Sequence, residues 1–288
     1  MEESPDFIQL RAPAKINLSF RILSRRGDGF HEIETVMAPI TLSDGLTIRR
    51  APIKSGIAFV CDDPTLPTGE DNLVVRAARS FFRAAQIEPA VRIELQKKIP
   101  HGAGLGGGSS DAATVLLGLE RLFGTTLGNQ TRLELAAALG SDVPFFLCEG
   151  AALCRGRGEQ VTAIDLADQL PLLLLKPGFG VPTPSAYARW SSSRALPGIS
   201  YAGQEFAGVS FSNDLERPVF EKHLFLAQTK MWLLAQSEVA VALMSGSGST
   251  LFAVLREPEA AQRLAGRARA ELDAELWTCA GATRTRVQ

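Results

Sequence analysis

One short segment constrains the fold more than any other, because five glycines lie within the seven residues from Gly102 to Gly108. The alternating apolar residues of Val91–Gln96 predict a strand before it, and the Ala-, Val- and Leu-rich Ser109–Phe123 predicts a helix after it. Glycine tolerates positive φ and lets a ligand approach the backbone. Free N–H groups and the dipole at a helix start suit a phosphate. The pattern therefore favours a phosphate-binding loop over a flexible surface turn.

The remaining sequence mixes strands and helices. Ile16–Ile22 alternates apolar with polar residues, which predicts a half-buried strand with Lys15 and Asn17 on its polar face. The apolar residues after Asp71 recur at helical spacing, and Asp71 fits the N-cap of that helix. Other predicted strands are His31–Ile40, Gly45–Arg50, Ala151–Cys154, Gln160–Ile164, Leu172–Leu175, Val239–Met244, Leu251–Leu255 and Glu275–Ala280. The remaining predicted helices are Thr131–Leu139, Pro218–Gln236 and Glu257–Leu272, with loops at Ser191–Gly208 and Ser245–Thr250.

The order of these elements indicates the fold class and the number of domains. Runs of strands precede runs of helices, which favours an α+β fold over a doubly wound parallel sheet. At ~150 residues per domain, the 288 residues predict two domains, which we divide as residues 1–165 and 166–288.

Composition excludes several classes of protein. The 30 basic and 31 acidic residues give a net charge of −1, whereas a nucleic-acid-binding protein normally has a basic excess. The longest apolar runs, such as Val239–Met244, are far shorter than the ~20 residues of a membrane helix. The segment Met1–Asp6 is acidic and lacks the start of a signal peptide, and the four cysteines form no C-x-x-C pair. We therefore expect a cytoplasmic protein with free thiols and no nucleic-acid or membrane partner, and the oligomeric state stays open.

Known phosphate loops fit the glycine-rich segment to different degrees. It ends in Gly-Ser-Ser, so it lacks the Gly-Lys-Ser/Thr of a Walker A loop. The spacing of Gly102, Gly104 and Gly107 matches the fingerprint of dinucleotide-binding folds. In those folds the helix leads to a parallel strand, and an acidic residue ends a strand about 20 residues later. Here the helix is followed by another predicted helix, and that acidic residue is absent. The V-A-I-K strand of protein kinases is absent. A nicotinamide-dependent oxidoreductase therefore remains only as a weak alternative.

Three segments resemble the motifs of the GHMP superfamily of small-molecule kinases, which contains galactokinase, homoserine kinase and mevalonate kinase. They are Pro13–Leu18 for the first motif, Pro100–Ser110 for the second and Met244–Ser249 for the third. Further segments narrow the resemblance to the family that phosphorylates 4-diphosphocytidyl-2-C-methyl-D-erythritol in non-mevalonate isoprenoid biosynthesis. These segments are Arg26–His31, Asp71–Leu73, Gly140–Phe145 and Phe211–Asp214.

The resemblance implies a fold and two nucleotide ligands. It implies an N-terminal domain like ribosomal protein S5 and a C-terminal ferredoxin-like domain with the active site between them, which agrees with the α+β pattern. The implied ligands are ATP, Mg²⁺ and the cytidine diphosphate–methylerythritol substrate. The implied ATP-binding residues are Asn72, Pro100, His101, Gly102, Ala103, Gly104, Leu105, Gly106, Gly107, Gly108, Ser109 and Ser110.

Two charged residues match the catalytic positions of that family. The resemblance makes Asp142 the general base and Lys15 the catalytic lysine. Local sequence alone favours other roles, since Gly-Ser-Asp-Val-Pro also fits a helix start with Asp142 as N-cap. Lys15 would by itself be an ordinary solvated lysine on a strand. The presence of both residues argues against a non-catalytic relative that only binds nucleotide.

The remaining implied residues bind the acceptor substrate. Asn17 lies on the same strand face as Lys15, and Thr183 belongs to the segment that contains Tyr187. The resemblance places Phe30 and Tyr187 on the two faces of cytosine and His31 at its edge; without it, the two aromatic residues are equally good as loop-anchoring hydrophobes. Phe30 stands where the family often has tyrosine, so stacking is kept and a hydroxyl hydrogen bond is lost. Another superfamily kinase with a different small alcohol remains an alternative.

The sequence does not identify ligands for Mg²⁺. It has no D-x-D or similar cluster of carboxylates, and Ser110 is the one candidate that we name. Asp111 takes a position where some family members have asparagine. Its charge suits the start of a helix, but it adds negative charge close to the expected triphosphate.

Overall fold

The computed structural model describes residues 6–285 and shows an α+β fold, which confirms the predicted class. The targeting prediction rests on Met1–Asp6, which lies outside this range except for Asp6. The strands are β1 (Phe7–Arg25), β2 (His31–Arg50), β3 (Gly56–Cys61), β4 (Ala90–Gln96), β5 (Ala152–Gly156), β6 (Gln160–Ala163), β7 (Pro171–Lys176), β8 (Gln204–Phe206), β9 (Val209–Asn213), β10 (Val239–Met244), β11 (Leu251–Leu255) and β12 (Trp277–Ala282). The helices are α1 (Leu73–Ala85), α2 (Gly107–Phe123), α3 (Asn129–Leu139), α4 (Thr183–Arg189), α5 (Glu216–Lys222), α6 (Leu224–Leu234) and α7 (Ala260–Glu271), with a 3-10 helix at Pro144–Leu147.

The chain forms two compact units, each built from separate stretches of sequence. Unit 1 comprises residues 6–14, Leu42–Pro100 and Gly106–Glu149. Unit 2 comprises Lys15–Thr41, His101–Leu105 and residues 150–285. β1, β2 and the glycine-rich loop therefore each contribute residues to both units. The boundary near residue 165 stays a prediction.

Unit 1 packs helices on a sheet. β3 and β4 run parallel and are joined by α1, while β4 pairs antiparallel with the Gly45–Arg50 half of β2. The predicted apolar face of α1 is buried and packs against α2, with Phe82 and Phe123 in edge-on contact at 5.3 Å. Gly118 brings α2 close to the sheet, because a Cβ there would lie 2.6 Å from Leu10 Cδ1. The amphipathic spacing thus placed α1 correctly.

The N-cap of α1 differs from the prediction. Asn72, not Asp71, precedes the first helical residue in an extended conformation, and its side chain accepts a hydrogen bond from the backbone N–H of Val74 at 2.9 Å. Its Nδ2 donates to the carbonyl of Pro67 at 2.8 Å. Neighbouring Asp and Asn side chains are both good caps, so only the backbone conformation at residue 72 decides between them.

Unit 2 contains the predicted ferredoxin-like arrangement. β7, β10, β11 and β12 form an antiparallel sheet in the order β10-β11-β7-β12, with helices between β7 and β10 and between β11 and β12. This is the β-α-β-β-α-β order of that fold. The fully buried strands β7 and β11 explain the unbroken apolar runs in the sequence.

Further strand pairs in unit 2 connect β1 and β2 to later parts of the chain. β1 pairs parallel with β9 through Ser19 opposite Ser212, and β9 continues into a hairpin with β8. Ile33–Met37 of β2 pairs antiparallel with β5. The predicted strands His31–Ile40 and Gly45–Arg50 are one continuous strand, since β2 runs through both.

Two predictions in the second half of the chain are wrong in detail. The helix predicted over Pro218–Gln236 is two helices, α5 and α6, which are separated by His223 with φ −123° and ψ 74°. Apolar spacing continues across His223, so the sequence pattern does not reveal a break at one residue. The predicted loop Ser191–Gly208 contains the short strand β8 near its end. The strand β9 and the helix α4 of this half, and the strand β3 of the first half, were not predicted.

Two predictions from composition can be compared with the structure. The four cysteines are free thiols, as expected. Within residues 6–285, no helix is both long and apolar enough to cross a membrane.

A buried cluster of charges in unit 1 fixes the residues on either side of the glycine-rich loop. Asp44 on β2 is 1% exposed, and its Oδ1 accepts hydrogen bonds from the backbone N–H groups of Lys98 at 2.5 Å and Ile99 at 2.8 Å. The Nζ of Lys97 contacts Asp44 and donates to Asp111 Oδ2 at 3.0 Å. Since Lys97–Ile99 lead into the loop and Asp111 follows it on α2, this cluster ties the segment before the loop to the helix after it.

The cluster contains two carboxylates for one ammonium. Burial raises the pKa of Asp111 to about 7; the charge of Lys97 opposes this shift and the charge of Asp44 adds to it. Burial alone would lower the pKa of Lys97, but the two carboxylates raise it above its usual value. Asp111 Oδ1 is buried without a hydrogen-bond partner among the described residues. The ionised form of Asp111 is therefore disfavoured in the folded protein.

This shift predicts a pH-dependent stability. Because the folded pKa of about 7 exceeds the ordinary value of 3.8, the unfolded chain binds fewer protons between these values, and the free energy of unfolding falls as pH rises from about 4 to about 7. Asp111→Asn removes this titration. In urea unfolding we expect the difference in stability between the variant and the wild type to be small at about pH 4 and to be clearly in favour of the variant at about pH 8.

The exposed residue Asp168 offers a matched control, since Asp168→Asn makes the same chemical change outside the cluster. An equal difference between Asp111→Asn and wild type at both pH values would contradict the raised pKa of Asp111.

Candidate active site

The first glycine loop (Pro100–Gly108) connects β4 to α2 through backbone conformations that favour glycine. Gly104 has φ +74°, and a Cβ there would lie 2.3 Å from the carbonyl oxygen of Ser245, so a side chain has no room. Gly106 has φ +69° and is the N-cap of α2. The helix therefore starts at Gly107, two residues before the predicted start, because Gly106 supplies the left-handed residue that begins it.

The start of α2 has the geometry of an anion site. The first backbone bond of the helix runs from the N–H of Ser110 to the carbonyl of Gly106 at 2.9 Å. The N–H groups of Gly106–Ser109 therefore have no partner within the helix, and the positive end of its dipole lies beside them. A further helix, α3, follows α2. The parallel strand that a dinucleotide-binding fold requires at this point is absent, which removes the oxidoreductase alternative.

Two oxygen atoms near this helix start suit a hard cation. The Oγ of Ser110 and Oδ1 of Asp111 are buried and have no hydrogen-bond partner among the described residues. Mg²⁺ prefers such oxygen ligands. Residues 6–285 contain no group of three or more His, Cys, Asp or Glu side chains that could hold a metal by itself. Ser110 Oγ and Asp111 Oδ1 thus form a partial set of ligands, which phosphate oxygens would complete.

A second glycine loop (Ser245–Thr250) joins β10 to β11 and is bonded directly to residues of the first. Ser245 Oγ donates to the carbonyl of Gly104 at 2.9 Å, and the N–H of Thr250 donates to the carbonyl of Ala103 at 3.2 Å. The Oγ atoms of Thr183 and Ser247 share a hydrogen bond of 2.8 Å. Thr183, which is predicted to bind substrate, thus lies beside this second loop at the start of α4.

Lys15 and Asn17 are buried on β1, whereas the sequence predicted a polar strand face. They are 4% and 1% exposed. Lys15 Nζ donates to Asn17 Oδ1 at 2.7 Å, and Asn17 Nδ2 donates to Thr35 Oγ1 at 2.8 Å. The first loop is bonded to the same strand, since the backbone N–H of Lys15 donates to the carbonyl of Leu105 at 2.9 Å. The interpretation of Lys15 as an ordinary solvated lysine is therefore wrong.

Gly246 of the second loop lies against the same pair. A Cβ on Gly246 would be 3.1 Å from Asn17 Oδ1 and 3.4 Å from Lys15 Nζ. Gly246 has φ +55°, which the absence of a side chain permits. Within unit 2, Lys15 thus bonds the first glycine loop through its backbone, and Lys15 and Asn17 both lie against the second, although these segments are far apart in the sequence.

Asp142 belongs to unit 1. It lies half-buried in the segment between α3 and the 3-10 helix. Val143 occupies the N-cap position of that short helix, and Pro144 is its first residue. The cap therefore falls one residue after the position that the sequence suggested.

The turn before β2 presents Phe30 and His31. Asp28 Oδ1 accepts a hydrogen bond from the backbone N–H of Phe30 at 3.1 Å, and this bond lowers the pKa of Asp28. Phe30 is 51% exposed, and the guanidinium of Arg157 lies 4.9 Å from the centre of its ring. Phe30 thus forms an accessible platform that is already in contact with a cation.

His31 lies in an aromatic cluster with Tyr187 and Trp190. Its ring stacks on Tyr187 at 5.0 Å with a 28° tilt, and Trp190 meets it edge-on at 5.9 Å. Burial, with a smaller effect of Arg25, lowers the pKa of His31 below its usual 6.5. The structure brings His31 and Tyr187 together, stacked on each other. Trp190 was missed, and its signal was the spacing of three residues after Tyr187 at the end of α4.

The other predicted residues of the nucleotide site are mostly accessible. His101 and Gly102 are exposed and Pro100 is half-buried, whereas Ala103 and Leu105 are buried. Both polar ends of Asn72 make the backbone hydrogen bonds described for α1.

Comparison with known proteins identifies the family of this chain. Residues 72–150 match the GHMP kinases N terminal domain, and residues 204–274 match the GHMP kinases C terminal domain. The chain is 40% identical over 279 residues to 4-diphosphocytidyl-2-C-methyl-D-erythritol kinase of Methylacidiphilum infernorum, covering 94% of this chain and 95% of the relative. The enzyme of the same name from Moorella thermoacetica is 39% identical, with 91% and 95% covered.

Solved structures agree with this relationship. A crystal structure of 4-(cytidine 5'-diphospho)-2C-methyl-D-erythritol kinase matches with a TM-score of 0.79 and 37% identity, and the match covers 96% of this chain and 99% of that one. A crystal structure of L. major mevalonate kinase in complex with R-mevalonate has a TM-score of 0.68 at 10% identity, covers 97% of each chain and shares the fold alone. The chain is a small-molecule kinase, and it belongs to the 4-diphosphocytidyl-2-C-methyl-D-erythritol kinase family of the GHMP kinases.

Proposed function

We propose that this enzyme transfers the γ-phosphoryl group of ATP to the 2-hydroxyl of 4-diphosphocytidyl-2-C-methyl-D-erythritol, giving the 2-phosphate and ADP. The observation that carries the proposal is the buried Lys15–Asn17 pair, which contacts both glycine loops in a chain about 40% identical to enzymes of that name. Phosphoryl transfer depends on positioning and on stabilisation of charge. A buried ammonium held against the second glycine loop suits both requirements.

We assign two tasks of the reaction to different residues: acceptance of the hydroxyl proton and stabilisation of the negative charge on the phosphoryl group. We assign Asp142 as the general base that accepts the proton of the acceptor hydroxyl while its oxygen bonds to the γ-phosphorus and ADP leaves. Lys15 stabilises negative charge that develops during transfer. Asn17 holds Lys15 Nζ through its Oδ1, and we assign the same residue to the polar part of the substrate.

The phosphates of ATP are assigned to the first glycine loop and the start of α2. The N–H groups of Gly106–Ser109 supply donors and the helix dipole supplies a favourable field. Asn72 and the loop residues from Pro100 to Ser110 remain the proposed nucleotide-binding residues. Ser110 Oγ is the proposed protein ligand of Mg²⁺, which would neutralise phosphate charge when bound with ATP.

Cytosine recognition is assigned to the residues around His31. A neutral imidazole has one donor and one acceptor nitrogen, so the lowered pKa of His31 favours the form that can read a base edge. Phe30 and Tyr187 offer aromatic faces, and Thr183 lies beside the second loop. In the described state Tyr187 stacks on His31, so we infer that base binding separates or extends this stack.

We also propose a cytoplasmic location. The support is the set of free cysteines, which fits a reducing compartment.

A panel of acceptors tests the reaction. ADP release should occur with the cytidyl compound and fall to background with homoserine and mevalonate, because those alcohols lack a base for Phe30 and His31. Turnover of homoserine or mevalonate without turnover of the cytidyl compound would assign the enzyme to another branch of the superfamily.

The general base is tested by Asp142→Asn. The amide cannot accept the hydroxyl proton, so kcat should fall by about 10²- to 10⁴-fold while ATP still binds. Steady-state kinetics and calorimetric titration with ATP measure the two effects, and Asp168→Asn serves as the matched exposed control. Near-normal kcat for Asp142→Asn would return Asp142 to a structural role at the start of the 3-10 helix.

A further inference from the structure

The segment from Asn213 to Glu216 has no role in the chemistry described so far, although its first two residues belong to the segment Phe211–Asp214 that narrowed the family resemblance. It lies at the end of β9 and the start of α5. Asn213 is 8% exposed, and its Oδ1 accepts a hydrogen bond from the N–H of Leu215 at 2.9 Å. Its Nδ2 donates to the carbonyls of Met244 at 2.7 Å and Gly246 at 2.8 Å. The acceptor bond fixes the orientation of the amide, so both donors point at the second glycine loop.

Glu216 holds the same part of the chain from the other side. Its Oε1 accepts from the N–H of Met244 at 2.9 Å, and its Oε2 accepts from Lys230 Nζ at 2.6 Å. Both members of this ion pair are 1% exposed. A buried pair of this kind tolerates little displacement, since removal of one partner leaves an uncompensated charge. Met244 is therefore fixed through its N–H and its carbonyl, directly before the second loop.

The second loop in turn encloses the Lys15–Asn17 pair. Gly246 lies so close that a Cβ would be 3.4 Å from Lys15 Nζ, and its carbonyl is the one that Asn213 binds. Ser245 is bonded to Gly104 of the first loop. If Asn213 released Gly246, the loop could move away from the Lys15–Asn17 pair, water would reach the ammonium, and Lys15 Nζ would be held less firmly.

We propose that Asn213 is a positioning residue for Lys15. Its two donated hydrogen bonds hold Gly246 against the Lys15–Asn17 pair and so keep Lys15 Nζ in the single orientation that phosphoryl transfer uses. This inference rests on the role proposed above for Lys15. Asn213 acts through the loop and contacts neither substrate in this account.

Asn213→Asp tests the inference with almost no change of shape. Oδ1 still accepts from Leu215, but the donor to Met244 and Gly246 is replaced by an acceptor that faces two carbonyls. We expect kcat to fall by about 10- to 100-fold, as small misplacements of catalytic groups do. The KM for each substrate should change by less than about threefold, which a general loss of binding would not produce.

Asp214→Asn is the matched control. Asp214 Oδ2 accepts a hydrogen bond from the N–H of Ile22 at 2.8 Å, and an amide oxygen can accept the same bond. This variant replaces a carboxylate by an amide, the opposite change to Asn213→Asp, at the next residue of the chain. It should keep wild-type kcat. Thermal unfolding reports whether each variant folds. If Asn213→Asp does not fold, Asn213→Ala removes the same two bonds without burying a charge and takes its place.

A double-mutant cycle with Lys15→Ala separates positioning from general structure. If Asn213 acts through Lys15, its substitution should lower kcat much less in the Lys15→Ala background than in the wild type. Equal fold-losses in the two backgrounds, or unchanged kcat in the Asn213 variant, would overturn the inference while Lys15 keeps its role. If Lys15→Ala alone keeps wild-type kcat, the proposed role of Lys15 fails first and the inference fails with it.

Discussion

The burial of the Lys15 ammonium is the constraint on which the candidate site depends. Removing an ammonium from water is costly, so its surroundings must supply hydrogen bonds. Asn17 accepts from Lys15 Nζ, Thr35 supports Asn17, the first glycine loop bonds the backbone of Lys15, and Gly246 of the second loop lies against the pair. Gly104 and Gly246 follow from this arrangement, because a side chain at Gly104 would clash with the backbone of the second loop and one at Gly246 would crowd Asn17 and Lys15.

The two units stabilise their loop segments by the same physical means. In unit 1, the carboxylate of Asp44 holds the backbone before the first loop, and Lys97 links it to Asp111 on α2. In unit 2, Glu216 is paired with Lys230 and holds the backbone before the second loop. Each is a buried carboxylate that accepts backbone N–H groups and is neutralised by a buried lysine. Such clusters favour one arrangement, since any displacement breaks several charge-assisted bonds at once.

Patterns within short stretches of sequence predicted those helices, strands and loops whose conformation depends mainly on neighbouring residues. The glycine cluster gave the loop before α2, and apolar spacing gave the strand around Lys15 and the buried face of α1. Burial of Lys15 and Asn17 was not predictable in this way, because Leu105 and Gly246, which lie against them, are distant in the sequence. The alternation of β1 shows only that one face differs from the other.

The features that the sequence did not predict also depend on backbone conformation or on contacts between distant residues. Asp71 and Asn72 both suit an N-cap, and backbone conformation decides for Asn72. Trp190 joins His31 and Tyr187 only through tertiary packing. The contacts of Asn213 with Met244 and Gly246 are also long-range, so the sequence could single out its segment without giving it a role. Asp142 and Lys15 were assigned by family resemblance, since their local sequences favour a helix cap and an ordinary solvated lysine.

The central claim is that Lys15 serves the transfer of the phosphoryl group and not the binding of substrates. Single-turnover rapid-quench measurements on Lys15→Ala, with both substrates saturating, test it most directly because they separate chemistry from binding and product release. The account predicts a transfer rate lower by about 10²- to 10³-fold, with dissociation constants close to those of the wild type. A wild-type transfer rate, or a loss that disappears at saturating substrate, would contradict it.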